Sequence, residues 1–437
     1  HVAERSRGMS TKGKSIVIRG AAVVNPDAMF VADVRIVNGV IEAVGDALTG
    51  DIVLDAAGCY VSSGFVDLHT HLREPGKEEA ETIESGSRAA VLGGFTAVVA
   101  MPNTAPAQDN VATVQFVRER GRVVGLCEVI PSGCITIGRL GSQLVPFEQL
   151  AEQGVTLFTD DGTGVQDALV MQRALMAAKR LNLTISQHCE VASMTVGAVM
   201  HDGACCSTMG VPGWPSAAEE EMVRRDIQLV RMTGAREHFM HLSTKGSVEL
   251  IRAAKAEGLP VTAEVTPHHI SLTDELLTGF DPIFKVNPPL RTMADITALH
   301  EGLTDGTIDA IATDHAPHAG HTKEQTLDTA PPGMLGLETA LGVVNTAIAL
   351  APQKIAALMS WNPAVIANIS DHQGRPIAVG EPAHITVWDT TTVWSVSRDE
   401  LASRSTNTPY HGMELRGRVR HTIYNGQLVV QEGKALA

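Results

Sequence analysis

Hydrophobic and polar positions fall into two textures along the chain. From 15 to 61 they alternate in short runs, "SIVIRGAAVV", "VADVRIVNGVIEAVGD" and "DIVLDAAGCYV". A period of two is the signature of half-buried strands. Asn38-Gly39 sits between two such alternations and predicts a tight hairpin, because Asn and Gly tolerate the left-handed backbone that the turn needs. The C-terminal stretch repeats the texture in "EPAHITVWDTTTVWSV" and "VRHTIYNGQLVVQEGKALA", with a second Asn-Gly at Asn425-Gly426. Chain termini commonly lie close together. The two ends, 15–62 and 375–437, are therefore expected to form one small composite β domain.

Between them, in 63–374, short unbroken apolar runs alternate with amphipathic stretches. The first run is "GFVDLHTH". Seven more follow at 94–103, 122–133, 154–162, 183–190, 238–244, 261–269 and 308–318. Continuous rather than alternating runs are expected of strands buried on both faces. Helices are predicted over 83–92, 167–180, 218–233 and 247–257. Eight strand-helix alternations predict an α/β fold, a (β/α)8 TIM barrel, with the β-rich domain at its side.

Each run ends in polar or ionisable residues: His69 and His71, Asn103, Asp160 and Asp161, His188, His241, His268 and His269, then Asp314, His315 and His318. In such a barrel the C-terminal strand ends open onto one face, where active sites lie. Residues far apart in sequence would thus meet at one mouth.

Composition narrows the partners. Of 437 residues, 44% are hydrophobic and 19% charged, and the formal net charge is -15. Such a surface disfavours nucleic acid and anionic membranes. No uninterrupted apolar run reaches the roughly 18 residues of a membrane span. The six cysteines form no CxxC pair, which predicts reduced thiols and a cytoplasmic location. The opening "HVAERSRG" before Met9 reads as an expression-tag remnant, and residues 1–14 are left out of the fold prediction.

Residues i and i+2 of a strand point to one face, so both imidazoles of His69-Thr70-His71 can reach a single ion. Alone the pattern is equally compatible with a structural pair. With His188, His241 and Asp314 at other strand ends, the set suits zinc or a similar divalent metal. Asp161, in "FTDDG", could bridge two ions. A bound divalent ion lowers the pKa of water to about 7. Asp314 could then move a proton from the attacking oxygen to a leaving nitrogen; the alternative is a helix cap. Arg73 could grip a substrate carboxylate in bidentate fashion; the alternative is a salt bridge to Glu74 or Glu78. Asn103 and Asn287 add polar groups at other mouths, and His318 is either an anion contact or a solvated loop residue. His268 is a candidate support of the site. His201, His238, His300, His372, His384, His411 and His421 read as surface or core.

"GFVDLHTHLREPG" followed by "TDHAPH" resembles the signatures of dihydroorotases, in the cyclic-amidohydrolase superfamily. The resemblance runs from about Ser15 onward and takes in "AMPNT", "FTDDG", "QHCE", "HLST", "AEVTPHH" and "VNPPLR". It implies reversible hydrolysis of L-dihydroorotate to N-carbamoyl-L-aspartate, a step of de novo pyrimidine (UMP) synthesis. It also implies one or two Zn2+ ions, held by His69 and His71, by His188 and His241, by a bridging Asp161 and by the catalytic Asp314. His71, Arg73, Asn103, Asn287 and His318 are implied substrate contacts, together with the backbone around Pro332 and Gly333 in a loop that closes over the ligand. Relatives often have Phe at the position of Pro332. Possible partners are a second copy of the chain, as a dimer, and aspartate carbamoyltransferase.

Two other readings compete. One is a different cyclic-amide hydrolase: a dihydropyrimidinase, hydantoinase or allantoinase. Dihydropyrimidinases, hydantoinases and many dihydroorotases bridge their metals with a carboxylated lysine on the fourth strand; the fourth run here, 154–162, has no lysine, and its aspartate resembles the type I dihydroorotase pattern. Uncharged dihydrouracil would also leave Arg73 without a carboxylate. The other is a non-catalytic scaffold subunit of aspartate carbamoyltransferase, which would be expected to have lost ligands, whereas all six candidates are present.

Overall fold

The computed structural model describes residues 13–436. Residues 1–12, which include the expected tag remnant 1–8, lie outside the described residues. Eight short parallel strands stand in chain order: Phe65–Thr70, Phe95–Ala100, Glu128–Pro131, Leu157–Phe158, Thr184–Gln187, Glu237–Phe239, Val261–Val265 and Ala310–Ile311. The first three form one arc and the last five another. Parallel bridges Gly133↔Phe158 and Thr70↔His315 join the arcs into a closed barrel. Closure leaves no free edge, and nearly every strand residue is buried.

The observed strands are shorter than the apolar runs that predict them. The clearest departure is the third run. Its first residues, 122–124, end the helix Val111–Val124, which stops at Gly125 in the left-handed region (φ 67°). Val123 is exposed there, so its hydrophobicity reports a helix end, not a strand. The predicted helices are present with small shifts. Asp167 caps Ala168–Arg180 by accepting from the amides of Leu169 and Val170. The helix Ser216–Thr233 starts two residues early, directly after Pro215.

The two ends of the chain share one sheet. Tyr60–Ser63 pairs antiparallel with Ile385–Ser395, which pairs in turn with Glu414–Tyr424. Both Asn-Gly turns have left-handed backbone, φ 50° and 86° at Asn38-Gly39 and 50° and 71° at Asn425-Gly426. Ile16, Ile18, Val34, Val61, Ile385 and Ile423 bury into one core drawn from both ends. Trp388 joins this sheet to the barrel by packing on Phe65, with ring centroids 6.1 Å apart.

One segment leaves the sheet. Between the strands Ile385–Ser395 and Glu414–Tyr424, residues 396–413 run across the barrel mouth. Val396 and Tyr410 bury there with Leu272, Leu327 and Met334, and the Ser405 hydroxyl donates to the Ala80 carbonyl at 2.6 Å. The six cysteines are all free. No helix among the described residues is long and apolar enough to cross a membrane.

Barrel closure rests on a buried acid. Asp67 accepts from the Thr313 amide at 2.8 Å, the Thr313 hydroxyl at 2.6 Å and the Thr70 hydroxyl at 2.5 Å. The two Thr313 bonds link the first strand to the chain just beyond the eighth. Burial nevertheless pushes the acid up to about 6. We predict that Asp67→Ala destabilises the protein by about 1–3 kcal/mol for each buried donor left unsatisfied. Thermal and denaturant unfolding check this; an unchanged midpoint would contradict it.

Candidate active site

The strand ends bring together all six candidate ligands. His69 Nε2 lies 3.4 Å from Asp161 Oδ1 and 3.3 Å from Asp314 Oδ1. His71 Nε2 lies 3.1 Å from Asp314 Oδ1 and 3.4 Å from Asp161 Oδ2. On the other side, His188 Nδ1 is 3.0 Å from His241 Nε2 and 3.6 Å from Asp161 Oδ1. His241 Nε2 is 3.9 Å from the same oxygen. Asp161 therefore stands between the two histidine pairs. Two triplets, His69–His71–Asp314 and His69–Asp161–His241, hold their ligating atoms within 4.8 Å of one another.

Three site residues carry left-handed backbone without being glycine: Arg73 (φ 60°), His241 (φ 32°) and Asp314 (φ 46°). Such conformations cost about 1–3 kcal/mol each and gather at functional sites. Here they lie at the ends of strands one, six and eight, where the chain must turn sharply while presenting a side chain to the mouth.

The donor set fits a divalent cation. Asp161 and Asp314 are buried, and no lysine or arginine pairs with either among the described residues. His69 Nε2, at the centre, is buried without a hydrogen-bond partner. Burial would raise both acids, yet the surrounding imidazoles, His69 foremost, hold both well below the usual carboxylate range. Conversely, burial would lower His69, but Asp314 and Asp161 raise it well above its ordinary value. Burial would also lower His188, which Asp161 and Glu190 push up to about 9. The two buried acids thus draw positive charge to His69 and His188, and nitrogen and carboxylate donors in this number suit zinc-like ions.

The groups that aim the ligands were largely absent from the sequence prediction. Glu264 faces His69 Nδ1 at 3.3 Å, accepts from the His241 amide at 3.3 Å and pairs with His238 Nε2 at 2.9 Å. His238, predicted as surface or core, is core and fixes this acid. Glu190 engages His188 Nε2 at 2.9 Å, and Asn103 Oδ1 engages His71 Nδ1 at 2.9 Å. Occupying the second ring nitrogen sets the tautomer and the aim of the first. The available signal for Glu264 was an acid inside "VTAEV", since a charge on a doubly buried strand requires a partner.

The predicted substrate contacts His71, Arg73, Asn103, Asn287, His318, Pro332 and Gly333 line one cavity of about 230 Å³ with Asp161, His188, His241 and Asp314. Arg73 donates from Nε to the Pro317 carbonyl at 3.1 Å. The alternative salt bridges do not form. Glu74 pairs with Arg120 at 3.1 Å and caps the Ile83 amide, and Glu78 accepts from the Gly76 amide. Burial lowers Arg73 only to about 10, so it stays cationic at neutral pH. His318 is pushed down to about 3 by burial and by Arg73; as a neutral ring it donates from Nε2 to the Pro332 carbonyl at 2.8 Å. His268 is buried with Nε2 unpartnered and is held near 4 by burial. His315 is structural: it pairs with Glu81 at 3.2 Å and accepts from the Gly336 amide.

Known proteins agree with this picture. Residues 58–247 match the family model described as dihydro-orotase-like. A dihydroorotase of Mycobacterium tuberculosis is 47% identical over 97% of this chain and 100% of its own length. One from Streptomyces coelicolor is 46% identical over 96% and 99%. Among solved structures, an L-hydantoinase (dihydropyrimidinase) from Arthrobacter aurescens superposes with a TM-score of 0.87 at 23% identity, covering 97% of each chain. At that identity the likeness establishes the fold, an α/β barrel with a β-rich side domain. The identity to curated relatives over nearly full length establishes more: the chain belongs to the dihydroorotase family.

Proposed function

We propose that this protein is a zinc-dependent dihydroorotase, which interconverts L-dihydroorotate and N-carbamoyl-L-aspartate in pyrimidine synthesis. The observation that carries the substrate assignment is Arg73. It is a buried guanidinium with no carboxylate partner among the described residues, in the same cavity as five of the six convergent ligands. Dihydroorotate and N-carbamoyl-L-aspartate supply that carboxylate; dihydrouracil does not. Family membership supports the reaction, hydrolysis of a cyclic amide C–N bond.

In this reading His69, His71, Asp161, His188, His241 and Asp314 would hold the metal. The cation, when bound, supplies Lewis-acid polarisation and a nucleophilic water at neutral pH. Asp314 is ionised, lies 3.1 Å from His71 Nε2, and faces the cavity. It takes the proton of the attacking water and delivers it to the ring nitrogen as the C–N bond breaks. In the reverse direction the same carboxylate removes that proton. Arg73 and Asn103 hold the substrate carboxylate, Asn287 and His318 contact the remaining polar atoms, and the backbone at Pro332-Gly333 covers the ring. His71 would be both a metal ligand and a substrate contact.

We assign the catalytic unit to 63–374 and the side domain to 15–62 with 375–437. The six free cysteines support a cytoplasmic location. The resemblance supports a homodimer, and aspartate carbamoyltransferase as a partner. The scaffold reading is disfavoured because no ligand is missing.

Chelation should abolish turnover of dihydroorotate and N-carbamoyl-L-aspartate, and added Zn2+ should restore it. Dihydrouracil and allantoin should not react under either condition; their turnover would refute the substrate assignment. Asp314→Ala should lower kcat by at least the roughly 10²–10⁴-fold that a positioned proton carrier contributes, with dihydroorotate binding still measurable by calorimetry. Near-normal turnover would remove Asp314 from its role. Arg73→Ala should raise KM about ten- to hundredfold, the loss of a charge-assisted pair worth about 1.5–3 kcal/mol. An unchanged KM would rule out the carboxylate clamp.

A further inference from the structure

The C-terminal excursion 396–413 reaches residues that line the cavity through Asn407. Asn407 is buried. Its Nδ2 donates to the Ala316 carbonyl at 2.9 Å and to the Gly333 carbonyl at 3.1 Å. Its Oδ1 accepts from the His318 amide at 3.1 Å. Its own backbone carbonyl accepts from the Leu335 amide at 3.1 Å. Both amide hydrogens and the carbonyl oxygen of one side chain are thus spent on the two ends of the segment 316–333. These ends carry the contacts assigned to substrate, and Pro317, between Ala316 and His318, holds Arg73 Nε.

We infer that Asn407 is a positioning residue, which clamps both ends of the loop over the active site and so sets where Arg73, His318 and Gly333 meet the substrate. The inference rests on the reading of those residues as substrate contacts. The approach it holds is close. Gly333 has φ 144°, and a Cβ there would lie 2.7 Å from His318 Nε2 and 2.8 Å from Ala316 Cβ. The clamp is itself anchored on the barrel. Ser403 and the Arg404 amide bond Glu81, and the Ala402 amide donates to Glu338 at 2.8 Å. The middle of the loop is held from outside by Lys285, whose Nζ donates to the Leu327 carbonyl at 2.7 Å and to the Asp328 carbonyl at 3.2 Å. His318 Nε2 bonds the Pro332 carbonyl, and Lys323 Nζ bonds the Pro331 carbonyl. A ligand that competes for His318 Nε2 releases Pro332 and leaves the Asn407 bonds intact.

The chemistry makes the clamp specific to an amide. Ala removes three hydrogen bonds. Asp keeps the shape and the acceptor but turns an oxygen toward two carbonyl oxygens. A clamp therefore predicts that Asp is worse than Ala; a residue that only fills space predicts that Asp resembles wild type. The experiment uses the full-length zinc-loaded protein with Asn407→Ala and Asn407→Asp. It measures kcat and KM for dihydroorotate, thermal unfolding, and backbone hydrogen exchange. The expected result for Ala is a KM raised about tenfold, with kcat within about threefold. The KM rise for Asp should be larger, and exchange should accelerate within 316–335 alone. Wild-type KM in both variants, Asp closer to wild type than Ala, or a lowered unfolding temperature with uniformly faster exchange and unchanged KM would each overturn the clamp. Should Ala fail to fold, the near-isosteric Asp variant decides alone, by its KM and its local exchange. Failure of the wild-type protein to turn over dihydroorotate would instead overturn the reading of the site, and the exchange pattern would still decide whether Asn407 holds the loop.

Discussion

Two carboxylates that cannot escape one another dominate this molecule. Asp161 and Asp314 are buried at one barrel mouth, both within 3.4 Å of His69 Nε2, and no lysine or arginine pairs with either among the described residues. Charges removed from water in this way must be compensated. The protein surrounds them with four imidazoles and leaves the central ring nitrogen without a partner. Much of the surrounding architecture follows from that requirement. The barrel supplies strand ends pointing to one place, and left-handed backbone at His241 and Asp314 turns two of the ligands inward. Glu264, Glu190 and Asn103 then fix which nitrogen of His69, His188 and His71 faces the acids.

The substrate side obeys a complementary constraint. A guanidinium is buried beside the acidic cluster but pairs with neither acid. Its Nε is fixed on a backbone carbonyl, and its charge survives burial. A charge kept unpaired in a cavity is waiting for a ligand of opposite sign. The geometry therefore couples two demands, a cation for Asp161 and Asp314 and an anion for Arg73, and a cyclic amide bearing a carboxylate meets both. The chain's two ends support this arrangement at a distance, because the excursion from the side-domain sheet packs over the mouth and braces the loops after the first and eighth strands.

The sequence made the barrel and its ligands legible because both leave strong local marks. Unbroken apolar runs at that spacing fit little besides strands buried on both faces, and histidines or aspartates that close such runs are conspicuous. His69, His71, Asp161, His188, His241 and Asp314 were all visible in this way, and the structure brings them together. The supporting shell was harder to see. Glu264 and Glu190 look like ordinary acids until the fold shows which imidazole each one faces. His238 carried no strand-end signal because it sits inside its strand. Asn407 lies in a stretch of small polar residues that reads as a surface loop, and its three bonds go to backbone groups some 70 to 90 positions earlier. The run at 122–133 misled for a local reason: valines at a helix end and valines in a strand look alike until Gly125 separates them.

The central claim, that the carboxylates and imidazoles enclose a cation site, is tested most directly by diffraction from crystals of the zinc-loaded protein, recorded on both sides of the zinc absorption edge. The account predicts anomalous density among His69, His71, Asp161, His188, His241 and Asp314, with nitrogen and oxygen atoms at about 2.0–2.2 Å. Zinc bound only elsewhere, or a mouth without anomalous density in protein that carries zinc, would contradict it.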